Sequence, residues 1–248
     1  MALNVLMVGA TKGIGRAVAR RLAARGDRLH LVGRNLDDLA KCAEDLRARM
    51  PAGARVTISH GDLEQPGTFD HVVQDASDAL GGFDTVVITA GLFATQANLE
   101  QDLAFTQRML TVNFANTVLF CEHVRRYLLA RGRGTLCVLS SVAGDRGRKP
   151  VVLYGASKAG LSAYLEGLDH RYRAAGLTTI CVKPGFVRTG MTQGLPDPPF
   201  AADPDEVAAV AIAAIDRGTP LVYAPGIWRL VMLLIRHLPR FVMRKVGF

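Results

Sequence analysis

The amino-acid sequence predicts an α/β fold built on a parallel sheet, and three observations carry that prediction. Short apolar runs of strand length alternate with longer segments whose apolar residues recur at helical spacing. The first run flows into a glycine-rich turn and then directly into a helix-like segment. Small-residue turns recur at the carboxyl ends of later runs. Strand and helix in alternation imply right-handed βαβ crossovers, and such sheets bind ligands beyond the carboxyl ends of their strands.

Val5 to Val8 reads as the first buried strand. It leads into Gly9-Ala10-Thr11-Lys12-Gly13-Ile14-Gly15, with helical periodicity from Arg16 to Arg25. Glycines between a strand and a helix let backbone N–H groups approach a pyrophosphate, and the helix N-terminus favours its charge. A tight turn without ligand is the competing reading, since the spacing is G-x-x-x-G-x-G and not G-x-G-x-x-G. Arg28 to Val32 is the second strand, ending at Gly33-Arg34-Asn35. An acidic residue at this place would hold a ribose 2′-hydroxyl; here stand glycine and Arg34, with Lys12 in the preceding turn, which suits a 2′-phosphate and NADP. Solvated surface charge is the alternative for each cation.

Leu36 to Met50 reads as an amphipathic helix, and Ala54 to Ile58 as the third strand before Gly61-Asp62-Leu63. Asp62 is placed either to accept from an adenine amino group or to cap a turn. A helix over Gly67 to Leu80 and a strand over Thr85 to Thr89 lead to Ala90-Gly91. Gln101 to Arg131 reads as one long helix holding Asn113, an amide that must be hydrogen-bonded to sit in an apolar stretch and that is read either as a core residue or as a kink anchoring a water. Leu136 to Leu139 is the fifth strand, ending in Ser140-Ser141, either of which can cap a turn or bind a carbonyl oxygen. A helix over Leu153 to Ala175 follows, then a sixth strand over Leu177 to Val182 that ends in Lys183-Pro184-Gly185-Phe186-Val187-Arg188-Thr189. Pro196 to Pro204 is a proline-rich loop suited to a lid. A helix over Asp203 to Arg217 and a strand over Leu221 to Tyr223 complete the alternation.

Tyr154 and Lys158 lie four apart in a helical segment and so share a face. A cation beside a phenol favours the phenolate, which lowers the tyrosine pKa towards neutrality and makes it a general acid. The spacing also arises by chance in many helices.

With 248 residues, 49% of them hydrophobic, and no linker or repeat, the chain is expected to form one large domain. Cys42, Cys121, Cys137 and Cys181 are scattered without metal-ligand spacing, so free thiols in a reducing cytoplasm are expected, and no metal site. The N-terminal residues show no basic signal-peptide region, and no apolar run approaches a membrane span. The net charge of +8 is not gathered into an aromatic-interleaved patch, which argues against nucleic acid.

The set Gly9-x-x-x-Gly13-Ile14-Gly15, Ala90-Gly91, Asn113, Ser141, Tyr154-x-x-x-Lys158 and Pro184-Gly185 resembles the short-chain dehydrogenase/reductase family in order and spacing over residues 3–225. The resemblance implies a single-domain Rossmann fold, a doubly wound sheet of seven parallel strands over residues 1–225, and hydride transfer between nicotinamide and a carbonyl or secondary alcohol. It implies catalytic roles for Asn113 (water relay), Ser141 (substrate oxygen), Tyr154 (acid/base) and Lys158 (tyrosine pKa and nicotinamide ribose). Gly9, Thr11, Lys12, Gly13, Ile14 and Gly15 are matched to the pyrophosphate region, Lys12 and Arg34 to NADP(H) preference, and Asp62 and Leu63 to the adenine. Ala90, Gly91, Tyr154, Lys158, Pro184, Gly185, Val187 and Thr189 complete the cofactor set. Thr89-Ala90-Gly91 departs from the family's Asn-Ala-Gly, which puts a strand-stabilising hydrogen bond in question. The family resemblance also implies a homodimer or homotetramer, through the helices bearing Asn113 and Tyr154. A non-catalytic NADP-binding regulator is the rival class; a degenerate member would be expected to lose the tyrosine or the lysine, and both stand here.

Residues 226–248 form a basic amphipathic helical extension, with Arg236, Arg240 and Arg244 spaced by four and Pro239 expected to interrupt the helix. Its two readings are packing on the substrate pocket or a subunit neighbour, and peripheral contact with the inner face of a membrane through 228–248. A narrower resemblance, carried by Ser140 to Arg146, Lys183 to Met191, and Ile235 to Arg240 with Arg244-Lys245, is to the bacterial branch containing decaprenylphosphoryl-2-keto-ribose reductase, which implies a lipid-linked keto-sugar substrate. A keto-lipid, a small ketone or a 3-oxoacyl thioester stays open beside it.

Overall fold

The computed structural model describes residues 2–51 and 55–247. Seven strands form one sheet in the order β3-β2-β1-β4-β5-β6-β7. They are β1 (Asn4–Val8), β2 (Arg28–Gly33), β3 (Val56–His60), β4 (Thr85–Ile88), β5 (Gly134–Leu139), β6 (Leu177–Pro184) and β7 (Leu221–Ala224). Every pairing is parallel. The apolar runs do not alternate with polar residues because both faces of each inner strand are covered. On β1, Leu6 and Val8 enter the layer packed by α3 (Phe69–Leu80), α6 (Asn116–Ala130) and α7 (Val152–Tyr172). Val5 and Met7 enter the opposite layer, packed by α1 (Gly13–Arg25), α2 (Leu36–Arg47) and α8 (Pro204–Arg217). The sheet is therefore doubly wound, as expected, and the strand order reverses direction between β1 and β4, where such sheets open a crevice.

Three expectations shift. The third strand runs over Val56–His60 and not Ala54 to Ile58; Ala54 lies outside the described residues, as do Met1 and Phe248. The helix expected over Gln101 to Arg131 is divided into α4 (Gln96–Gln101), α5 (Leu103–Leu110), a π-helical turn (Thr111–Ala115) and α6. Asp102 makes the first break, because its carboxylate caps Phe105 N at 2.9 Å and restarts the helix. Pro239 divides the C-terminal extension into α9 (Trp228–His237) and α10 (Arg240–Met243), as its missing N–H demands.

Helix α9 buries Met232 and Ile235 against Val142, just past the end of β5, while Leu230, Leu233 and Leu234 stay exposed. It thus forms one wall at the carboxyl edge of the sheet. Among the described residues no helix is long and apolar enough to cross a membrane, and no group of three His, Cys, Asp or Glu side chains is arranged to hold a metal.

Candidate active site

The turn after β1 is shaped by contacts only glycine permits. Gly9 (φ +96°) and Gly13 (φ +51°) adopt left-handed backbone, and a Cβ on Gly15 would lie 2.0 Å from the Gly9 carbonyl oxygen. No side chain caps the first turn of α1, and no acidic residue occupies it. Its N–H groups and the positive end of its dipole are thereby left to an anion. A nucleotide pyrophosphate fits this cradle on charge and on space. Thr89 supplies the hydrogen bond that the departure from Asn-Ala-Gly put in question: its hydroxyl donates to the Gly9 carbonyl at 2.9 Å, with the Val8 carbonyl at 3.2 Å.

Lys12 and Arg34 flank the turn, but neither stands without an acid nearby. Lys12 Nζ lies 3.8 Å from Asp38, and Arg34 lies 3.1 Å from Glu64, which Arg108 also grips. Lys12, Arg34 and Asp38 are each more than 40% exposed, so the pairs are weak and exchangeable. Asp62 resolves towards the turn reading on one oxygen, which accepts from Glu64 N at 2.9 Å. The Leu63 carbonyl is held by Asn116 Nδ2 at 2.6 Å, a buried contact that nothing in the local sequence announces.

The turn after β5 is pressed against α7. A Cβ on Gly144 would lie 2.6 Å from the Lys158 carbonyl carbon, and one on Gly155 2.8 Å from the Ala143 carbonyl oxygen. This close approach sets Ser141 beside Tyr154. The two serines then separate in role. Ser140 Oγ donates to the Lys158 carbonyl at 3.0 Å and pairs with Ser162 Oγ at 2.7 Å, so it fastens strand to helix. Ser141 Oγ accepts from Ala143 N at 3.1 Å and keeps its own proton for another partner.

Lys158 is 5% exposed; its ammonium donates to the Leu139 carbonyl at 3.1 Å and lies 5.8 Å from the centre of the Tyr154 ring. Burial lowers its pKa to about 8. Tyr154 departs from expectation. Burial pushes its hydroxyl up to about 12, and the hydrogen bond to Ser141 only partly opposes this. Desolvation outweighs a cation held at that distance, so the helical spacing alone does not lower the phenol. Phe93 packs edge-on against the Tyr154 ring at 5.1 Å.

Asn113, 1% exposed, sits in the π-turn, and both ends of its amide grip Leu92: Oδ1 accepts from Leu92 N and Nδ2 donates to Leu92 O, each at 2.7 Å. The side chain clamps the loop after β4.

Thr189 lies over Gly13, and its hydroxyl accepts from Met191 N at 3.2 Å. Gly185 admits Trp228, since a Cβ there would lie 2.0 Å from the indole nitrogen. One cavity of about 1110 Å³ unites these parts. Every residue the sequence nominates lines it except Asn113, which acts through Leu92. Sequence reasoning missed Arg148, Phe93 and Trp228 on its walls; the basic run between Ser141 and Tyr154 was the one available signal for Arg148.

Comparisons with known proteins bear on the family and the fold. Residues 3–199 match the family model described as short chain dehydrogenase. An uncharacterized oxidoreductase of Mycobacterium tuberculosis is 34% identical over 246 residues, covering 99% of this chain and 97% of the relative. Cis-4-hydroxycyclohexanecarboxylate dehydrogenase of Sinomonas cyclohexanicum is 31% identical over 233 residues, covering 88% of this chain and 92% of the relative. Among solved structures, a short-chain type dehydrogenase/reductase from Mycobacterium ulcerans superposes with a TM-score of 0.81 at 22% identity, covering 88% of this chain and 86% of that one. Levodione reductase superposes with a TM-score of 0.80 at 23% identity, covering 90% and 96%. These last two bear on the fold alone.

Proposed function

This chain belongs to the short-chain dehydrogenase family, and on that premise we propose that it is an NADP(H)-dependent carbonyl reductase with Tyr154 as its proton donor. The observation that carries the reading is the convergence of Ser141, Tyr154 and Lys158 with the Gly9–Gly15 turn on one cavity. A nicotinamide held there would supply hydride to a carbonyl carbon. Gly9, Gly13, Gly15 and the α1 N-terminus would hold the pyrophosphate, and Lys12 and Arg34 the 2′-phosphate. A phosphate dianion competes well for Lys12, whose partner Asp38 is exposed, and for Arg34, which shares Glu64 with Arg108.

As charge builds on the substrate oxygen, Ser141 donates a hydrogen bond and Tyr154 delivers its proton. Both act on the transition state more than on the ground state. A phenol whose proton is firmly held suits the reductive direction, because the acid stays loaded at neutral pH. Lys158 offers positive charge as the phenolate forms, and Asn113 positions the wall through Leu92.

The substrate class we favour is a ketone on an apolar or lipid-linked body, including a lipid-linked keto-sugar. Support comes from the cavity's size and from the Leu92, Phe93, Phe200, Trp228, Val231 and Ile235 walls. The relative named for cis-4-hydroxycyclohexanecarboxylate favours a smaller cyclic alcohol or ketone as the second reading. Peripheral membrane contact is supported by exposed Leu230, Leu233, Leu234 and Phe241 beside Arg236, Arg240 and Arg244. Flotation with anionic liposomes tests it: binding that persists after removal of residues 229–248, or no binding at all, would end that reading.

The main test is Tyr154→Phe, assayed across a ketone panel that includes lipid-linked keto-sugars. NADPH binding, followed by its fluorescence, is expected to persist while ketone-dependent NADPH oxidation falls by about 10²-fold or more. Retained turnover would sink the mechanism.

A further inference from the structure

A second cavity, of about 460 Å³, lies beside the catalytic one, and its walls are strongly basic. Arg146, Arg148 and Lys149 come from the segment between Ser141 and Tyr154, and Arg240 and Arg244 from α10 and its end. No acidic side chain lines it. Asp145, the carboxylate nearest in sequence, has both oxygens engaged, one by Lys183 and one by Tyr223. Its hydrogen bonds are thus committed to those two groups, although its charge still acts on Arg148.

Two of these cations are built in. Arg146 Nη2 donates to the Leu238 carbonyl at 2.9 Å, which fastens the extension across the loop and brings Arg240 and Arg244 to the cavity. Arg148 borders both cavities, and its Nε is buried without any hydrogen-bond partner. A buried guanidinium donor without an acceptor costs free energy that an arriving oxyanion would offset. Five like charges around one hollow raise its potential for the same kind of ligand. Planar guanidinium forks, which make up four of the five, match phosphate oxygens in pairs.

We propose that this cavity binds a phosphate group carried by the substrate, with Arg148 at the boundary between the phosphate and the carbonyl end. The proposal rests on the carbonyl-reductase reading only for the position of that far end. The substrate class narrows accordingly, to ketones bearing a phosphate ester, whether free in solution or at a lipid headgroup.

The test uses Trp228, the chain's only tryptophan and a wall of the adjoining cavity, as a fluorescent reporter. The full-length protein is first saturated with NADP+, so that the Gly9–Gly15 cradle is filled. It is then titrated separately with inorganic pyrophosphate, with octyl phosphate, and with phosphatidylcholine vesicles containing phosphatidic acid. Saturable binding of at least one probe is expected. It should weaken by about tenfold or more in Arg148→Ala and in the double variant Arg240→Ala/Arg244→Ala, as loss of charge-assisted hydrogen bonds predicts. NADPH affinity should be unchanged in the double variant, whose two arginines do not line the catalytic cavity. The double variant sits on the exposed α10 and carries the test if Arg148→Ala does not fold. A response to octyl phosphate assigns a soluble phosphate, and a response to vesicles alone assigns a headgroup. No response to any probe, or equal affinity in wild type and variants, overturns the proposal. The titration does not depend on turnover, so it can fail while the Tyr154→Phe result stands, and the reverse.

Discussion

At the scale of single residues, the site depends on burial as much as on charge. Lys158 titrates near 8 because burial disfavours its ammonium form. The ammonium is therefore present below about pH 8 and lost above it, whereas Tyr154 keeps its proton to about 12. For the reductive reaction, kcat/KM for the cofactor, which reports the free enzyme, should be level below pH 8 and fall above it. A profile level to pH 10 would remove Lys158 from that role. Arg34→Asp should move cofactor preference from NADPH towards NADH, and unchanged constants for both would refute the part given to Arg34. Gly15→Ala should destabilise the fold and weaken cofactor binding together, since its methyl meets a carbonyl oxygen that cannot move freely. The Gly9–Gly15 turn and the Tyr154–Lys158 pair were legible because short-range spacing encodes them. The phenol's raised pKa was not, because it depends on how many atoms from β5, α7 and the loop after β4 surround it. Nor was the twin grip of Asn113 on Leu92, made across 21 residues.

Elements carry a second group of consequences. β2 and β3 are joined by more than their ladder: His30 lies between Thr57 and Ser59, with each ring nitrogen 2.9 Å from a hydroxyl. Burial lowers the His30 pKa to about 4 from 6.5. The unfolded chain thus binds more protons between those values, and the stability that neutral His30 contributes is present above about 6.5 and lost as pH falls through about 4. Thermal melts from pH 7 to 4 should show that loss, and His30→Gln should flatten it; an unchanged slope would assign the acid sensitivity elsewhere. Helix α9 forms a pocket wall, so removing residues 229–248 should raise KM for the ketone by about tenfold or more through lost apolar contact while leaving NADPH affinity within about twofold. The alternation of strands and helices was legible because buried parallel strands read as unbroken apolar runs. The π-turn at Thr111–Ala115 was not, since its sequence has the periodicity of an ordinary helix and only the contacts of Asn113 distinguish it.

Across the whole molecule, the sheet gathers the chemistry to one side. Gly9, Gly33, Ala90, Ser141 and Gly185 all follow or end strands at the carboxyl edge, although they are far apart in the chain. The faces of α5 to α7 leave Leu103, Phe114 and Leu119 exposed, which supports association of copies there. Light scattering on the eluting protein should give a dimer or tetramer, and Leu119→Arg should lower the mass; an unchanged mass would move the interface elsewhere. The opposite edge of the sheet has a different use. The exposed Arg131–Gly132–Arg133 turn enters β5 at its amino end, and the space where a Gly132 side chain would project is open. Ser141 lies roughly 23 Å beyond the start of that strand. A tether, a label or an inserted domain at Gly132 would therefore hold the protein to a support with its reactive face outward, which suits an immobilised catalyst.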